Sequence, residues 1–178
     1  SMGEILKLAL RDPSFSMIFI GFFSCGYQLA FITAHFPALV TEMSSPIDST
    51  GWCGDLGIET TTALWGFAIS VIGFSNMIGP LVAGWAGKRF GKKWLLSGIY
   101  AGRSIAATVF IMTPVSANSG LLFSFAMGFL WLATVPLTSG LVAHIYGLRY
   151  MGTLYGIVFF SHQLGSFIGV WLGGVLYD

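Results

Sequence analysis

Long apolar runs, broken by short polar or charged segments, make up this chain. The runs fall at about 14–40, 63–86, 94–113, 120–143 and 151–176. Roughly 20 apolar residues in a helix cross the hydrocarbon core of a bilayer. Each run is long enough, and the first is long enough to tilt. The pattern therefore predicts an all-α membrane protein with five transmembrane helices. Ahead of the first run, residues 1–13 form a short amphipathic lead-in, with Ile5, Leu6, Leu8 and Leu10 set among charges. Pro13 opens the first span, and Pro37 near its end is a candidate kink. Residues 41–62 make the one sizeable loop.

Composition agrees with the pattern. Charged residues are 8% of the chain and hydrophobic ones 55%, against about 25% charged in a soluble domain. Such a chain cannot wet its own surface. The net charge of +1 is spread without a continuous basic patch, which argues against a nucleic-acid partner. Cys25 falls in a span and Cys53 in a loop, so no disulfide is expected between them. No metal-ligand spacing, nucleophile–base set or phosphate loop occurs, so neither a cofactor nor an enzyme activity is expected. The first run is too long for the apolar core of a cleavable signal peptide. Charge also orients the spans. Lys7, Arg11, Lys88, Arg89, Lys92, Lys93 and Arg149 fall on one side, whereas the loop at 41–62 carries Glu42, Asp48, Asp55 and Glu59 and no cation. Cytoplasmic segments collect Lys and Arg, so the N-terminus is expected inside.

Four of the eight basic residues lie between 88 and 93. Gly84, Lys88, Arg89, Gly91, Lys92 and Lys93 follow the order Gly-x-x-x-Lys-Arg-x-Gly-Lys-Lys in a charged turn between the second and third spans. This resembles the loop signature of the major facilitator superfamily of secondary transporters, with Lys88 standing where the family has an acid. Phe22-Phe-x-Cys25-Gly26-Tyr27-Gln28 with His35-Phe36-Pro37, Gly128-x-x-Trp131-x-x-Thr134-Val135-Pro136-Leu137, and Gly152 through Gly156 to Ser161-His162-Gln163-Leu164-Gly165 are similar to the bacterial monocarboxylate and oxalate/formate antiporter branch. The resemblance implies helices seven to eleven of a twelve-helix fold, with the lead-in as the tail of the linker between halves. It implies a bacterial inner-membrane location, a missing N-terminal half as partner, and a small solute, such as a monocarboxylate, moved by alternating access. Proton coupling, as in a symporter, enters through the histidines. A multidrug exporter of the same superfamily, or a stand-alone membrane interaction protein, remain the other readings. The signature turn is then either a gate or a topology anchor.

Ionisable groups at membrane depth are expensive and mark candidate sites. Arg103 lies about ten residues into its span; it either receives a carboxylate or is held structurally by helix carbonyls. Gln28 and His35 are two turns apart on one face, and His35 is either a titrating group or an interfacial histidine beside Pro37. His162 and Gln163 lie mid-span, set to contact solute or to bridge to a neighbouring helix. Trp131, Thr134 and Thr138 recur at i, i+3 and i+7, as a cavity wall or a packed stripe; Asn76 is a weaker candidate. Gly152 and Gly156, and Gly165, Gly169 and Gly173, repeat every four residues, as close helix packing requires. Trp52, Trp85, Trp94 and Trp171 fall near span ends, where tryptophan anchors to the interface.

Overall fold

A computed structural model describes residues 2–43, 52–58 and 60–177, and among them it holds eight helices and no strand. Part of the acidic loop, including Asp48 and Glu59, and the side chain of Trp52 lie outside the described residues. Helix α1 (Met2–Arg11) has Glu4 in its first turn and Arg11 in its last, each charge opposing the nearer end of the helix dipole. It buries Ala9 and stops at Asp12, because the residue before proline is driven out of the α region. Helix α2 (Pro13–Met43) starts with proline in the first turn, where the missing N–H costs nothing. Asp12 caps it, its Oδ1 accepting from the Ser14 N–H at 2.8 Å. The helix remains continuous through Pro37.

A four-residue turn of helix, α3 (Trp52–Asp55), leads to α4 (Thr61–Arg89), α5 (Lys92–Met112), α6 (Ala117–Trp131), α7 (Thr134–Tyr146) and α8 (Leu148–Tyr177). Five segments are long and apolar enough to cross a membrane: Pro13–Ala38, Thr61–Arg89, Lys92–Met112, Ala117–Tyr146 and Leu148–Leu176. Two local expectations change. The basic stretch is mostly helix, with Lys88 and Arg89 closing α4, Lys92 and Lys93 opening α5, and only Phe90 and Gly91 between. The fourth span is broken at Leu132–Ala133. Pro136 explains the break: it has no N–H for the carbonyl of Leu132, four residues earlier, and its ring crowds that oxygen. The Leu132 carbonyl accepts instead from the Val135 N–H at 3.1 Å.

The chain divides into two compact units, one of residues 1–36 with 136–178 and one of residues 37–135. In the first, α2 and α8 meet along a glycine seam. A Cβ built on Gly26, Gly165 or Gly169 would lie under 3.0 Å from the carbonyl oxygen of His162, Phe23 or Tyr27 respectively. Backbones this close need glycine, and in lipid such packing and interhelical hydrogen bonds replace the hydrophobic effect as the source of association. Ser161 Oγ donates across the seam to the Phe19 carbonyl at 2.9 Å and Ser166 Oγ to that of Gly26 at 3.3 Å. Gly147, at φ +83°, makes the turn from α7 into α8, a left-handed conformation that favours glycine.

The second unit is built on α4 and α6. A Cβ on Gly128 would meet the Ile72 carbonyl oxygen at 2.6 Å and Ser75 Cβ at 3.0 Å, and one on Gly120 would meet the Trp65 ring at 2.5 Å. Helix α5 joins through Phe110, stacked on Phe123 with ring centroids 4.5 Å apart. Ser116 and Ser119 form a reciprocal capping box at the start of α6. Large side chains such as Leu81, Ile111 and Met112 point outward, as a lipid solvent permits.

Candidate solute and coupling site

In the first unit the α2–α8 seam gathers five of the residues singled out from the sequence. His35 Nε2–H donates to the Val170 carbonyl at 3.1 Å, since a carbonyl can only accept. Gly173 makes room for that ring: a Cβ there would fall under 3.0 Å from the imidazole. His35 also lies 5.1 Å from the Phe31 ring. Lower on the seam, His162 stacks on Phe159 at 5.8 Å with planes 4° apart and stands 5.2 Å from Phe22. Tyr155 completes this aromatic group, 6.1 Å from Phe22 and 6.3 Å from Phe159. Gln28 is half-buried on α2 and Gln163 exposed on α8. Gly165 and Gly169 belong to the seam. Gly152 and Gly156 do not: among the described residues no atom lies within 4 Å of a Cβ on either.

In the second unit Asn76 sits at the broken fourth span. Its Oδ1 accepts from the Leu132 N–H at 3.2 Å. Pro80 lies four residues after Asn76 and Pro136 four after Leu132. Each proline deprives the residue four places earlier of its helical donor, so the weakened points of α4 and of the fourth span lie side by side. Trp131 is half-buried, and its carbonyl accepts from Thr134 Oγ1 at 3.3 Å. Thr134 is buried. Thr138, on the part of α7 that belongs to the first unit, is buried with its hydroxyl lacking a hydrogen-bond partner among the described residues. Arg103 is 0% exposed, a permanently charged guanidinium folded into the helical unit. A cleft of about 330 Å³ between α5 and α6 is lined by groups such as Ile105, Val109 and Leu122; its apolar walls offer a polar solute little.

One pair escaped the sequence reading. Tyr146 Oη donates to Asp12 Oδ2 at 2.6 Å, and the Phe15 ring meets Tyr146 edge-on at 5.9 Å. The tyrosine hydroxyl, with the Ser14 N–H, holds the Asp12 carboxyl below its ordinary value. The pair ties the entry of the first span to the exit of the fourth.

The chain is similar to a transporter. Over 167 residues it is 23% identical to the "Uncharacterized MFS-type transporter YcxA" of Bacillus subtilis (strain 168), a match covering 91% of this chain and 37% of that protein. The chain thus spans little more than a third of its relative's length. No family profile matches it, and no solved structure matches it significantly. The five helices, each long and apolar enough to cross a bilayer, support an integral membrane protein.

Proposed function

We propose that this chain is the five-helix portion of a larger secondary transporter, corresponding to helices seven to eleven, that moves a small organic anion such as a monocarboxylate across a bacterial inner membrane by alternating access. The observation that carries the reading is the likeness to an MFS-type transporter over 91% of the chain, beside five helices long and apolar enough to cross a membrane. Residues 1–13 are the tail of the inter-half linker, cytoplasmic, and residues 14–178 the half-domain. A missing N-terminal half supplies the other wall of the solute path. Arg103 supplies the charge for the carboxylate, directly or by holding a neighbouring group, and His35 and His162 are the titratable groups for proton coupling. Gln28, Asn76, Gln163 and the Trp131, Thr134 and Thr138 stripe supply hydrogen bonds and wall.

Uptake of a labelled short-chain monocarboxylate by the full-length protein in proteoliposomes tests this. Uptake that rises with an inward proton gradient and is lost in Arg103→Lys protein of normal fold is the expected result. Uptake unchanged in that variant overturns the role of Arg103, and uptake indifferent to the gradient overturns proton coupling. Protection of cells against unrelated lipophilic cations, with no carboxylate uptake, replaces the reading with a drug exporter.

A further inference from the structure

The basic stretch between α4 and α5 has a geometry that a topology anchor does not need. Lys88, Arg89 and Lys93 are exposed and Lys92 is half-buried. No carboxylate of a described residue lies within 4 Å of any of the four. Lys88 and Arg89 close α4, where cations suit the helix dipole, but Lys92 and Lys93 open α5, where they oppose it. Four like charges within six residues, two of them at the positive end of a helix, repel one another. An anion between them removes that penalty.

Aromatic rings define where the anion comes from. The Arg89 guanidinium lies 4.6 Å over the Trp85 ring, and the Lys93 ammonium 5.4 Å from that of Trp94. Trp85, Phe90 and Trp94 are 54%, 61% and 72% exposed. Tryptophan at a span end sits at headgroup depth, so the rings hold two of the cations at the level of lipid phosphates. We propose that residues 85–94 form a binding site for the phosphate headgroup of an anionic phospholipid, the cations engaging the phosphate and the exposed rings lying against the glycerol and upper acyl chains. The proposal rests on the membrane-spanning helices and not on the identity of any solute, so it stands or falls separately from the transport reading.

The test reconstitutes the full chain in phosphatidylcholine vesicles containing brominated phosphatidylglycerol, and compares tryptophan quenching with that by brominated phosphatidylcholine at the same mole fraction. A preference for phosphatidylglycerol is expected. It should fall by about fivefold for each engaged cation removed, about 1 kcal/mol apiece, in Lys88→Gln/Arg89→Gln/Lys92→Gln/Lys93→Gln protein. The charge-retaining Lys88→Arg/Lys92→Arg/Lys93→Arg protein should keep the preference, which separates charge from misfolding. A Trp85→Phe/Trp94→Phe chain should lose the lipid-specific part of the quenching. Preference within twofold of wild type in the quadruple variant overturns the proposal. An equal loss in Lys7→Gln/Arg11→Gln/Arg149→Gln protein overturns it too, because the effect would then be one of general surface charge. Displacement by inorganic phosphate, but not by chloride at the same ionic strength, would assign the site to a soluble anion and overturn the lipid assignment.

Discussion

Replacing Gly128 with alanine should separate α4 from α6 and break a hydrogen bond one turn away. The new Cβ would lie 2.6 Å from the Ile72 carbonyl oxygen and 3.0 Å from Ser75 Cβ. Ordinary contact begins near 3.4 Å, so the backbones must part by about 0.8 Å, because a carbonyl, unlike a flexible side chain, cannot swing aside. Asn76 lies four residues beyond Ile72 on α4, and Leu132 four beyond Gly128, just past the end of α6. The same shift carries their 3.2 Å bond to about 4 Å, past the limit of a hydrogen bond. Overpacking costs about 1–3 kcal/mol, and the lost interhelical bond about 0.6 kcal/mol. Alanine's advantage over glycine in a helix returns at most about 1 kcal/mol. The control is Gly73→Ala on α4, where no described atom lies within 4 Å of the new Cβ; it should be neutral or stabilising by up to about 1 kcal/mol. Unfolding in mixed micelles by titration with sodium dodecyl sulfate, followed by circular dichroism, measures both. Gly128→Ala protein as stable as Gly73→Ala protein would refute the close-packed α4–α6 interface.

Two further outcomes follow from the first unit. The folded-state pKa of Asp12 is depressed by Tyr146, so the pair's stabilisation is present above the ordinary carboxyl value of 3.8 and is lost as pH falls through the lower folded value; acid unfolding between pH about 5 and 2 should be steeper for wild type than for Tyr146→Phe, and equal slopes would show that the pair does not titrate with folding. Gly173→Ala displaces only the His35 ring and should cost about 0.6 kcal/mol, the worth of the His35–Val170 bond, whereas Gly169→Ala strikes the Tyr27 backbone and should cost about 1–3 kcal/mol. In a His35→Ala background the first penalty should disappear and the second persist; additivity at both positions, read from the same unfolding titrations, would count against the seam as described.

Hydropathy made the five spans legible because, in lipid, a helix must be apolar around most of its surface. Depth along a span was legible for the same reason, and Arg103 could be singled out from its position alone. Which face of a helix meets which neighbour was not legible. Gly152 and Gly156 have the same spacing as Gly165 and Gly169, yet among the described residues only the second pair touches another helix's backbone. A four-residue repeat marks a smooth face without naming its partner. The basic stretch was read as a turn because charge usually marks a loop; the structure keeps it helical on both sides of Phe90 and Gly91, since cations are well placed in the last turn of α4. Asp12 and Tyr146 were missed because 134 residues separate them and neither is unusual where it stands. A tyrosine at the very end of an apolar run was the one available signal.

Asn76 shows how two local rules meet at one tertiary contact. Each proline frees a carbonyl by a rule readable from sequence, but only the fold sets Asn76, four before Pro80, against Leu132, four before Pro136. The carboxamide is therefore useful to the fourth span only while that span is broken. Pro136→Ala restores an N–H for the Leu132 carbonyl, allows α6 and α7 to join, and returns the Leu132 N–H to the Gly128 carbonyl. In wild type, Asn76→Ala should cost about 0.6 kcal/mol and no more than about 1.7 kcal/mol, the range for hydrogen bonds between membrane helices. In the Pro136→Ala background it should cost close to nothing, so the cycle should return a coupling energy equal to nearly the whole effect. The same penalty in both backgrounds would mean that Asn76 stabilises the α4–α6 interface in some other way and that the break does not depend on it.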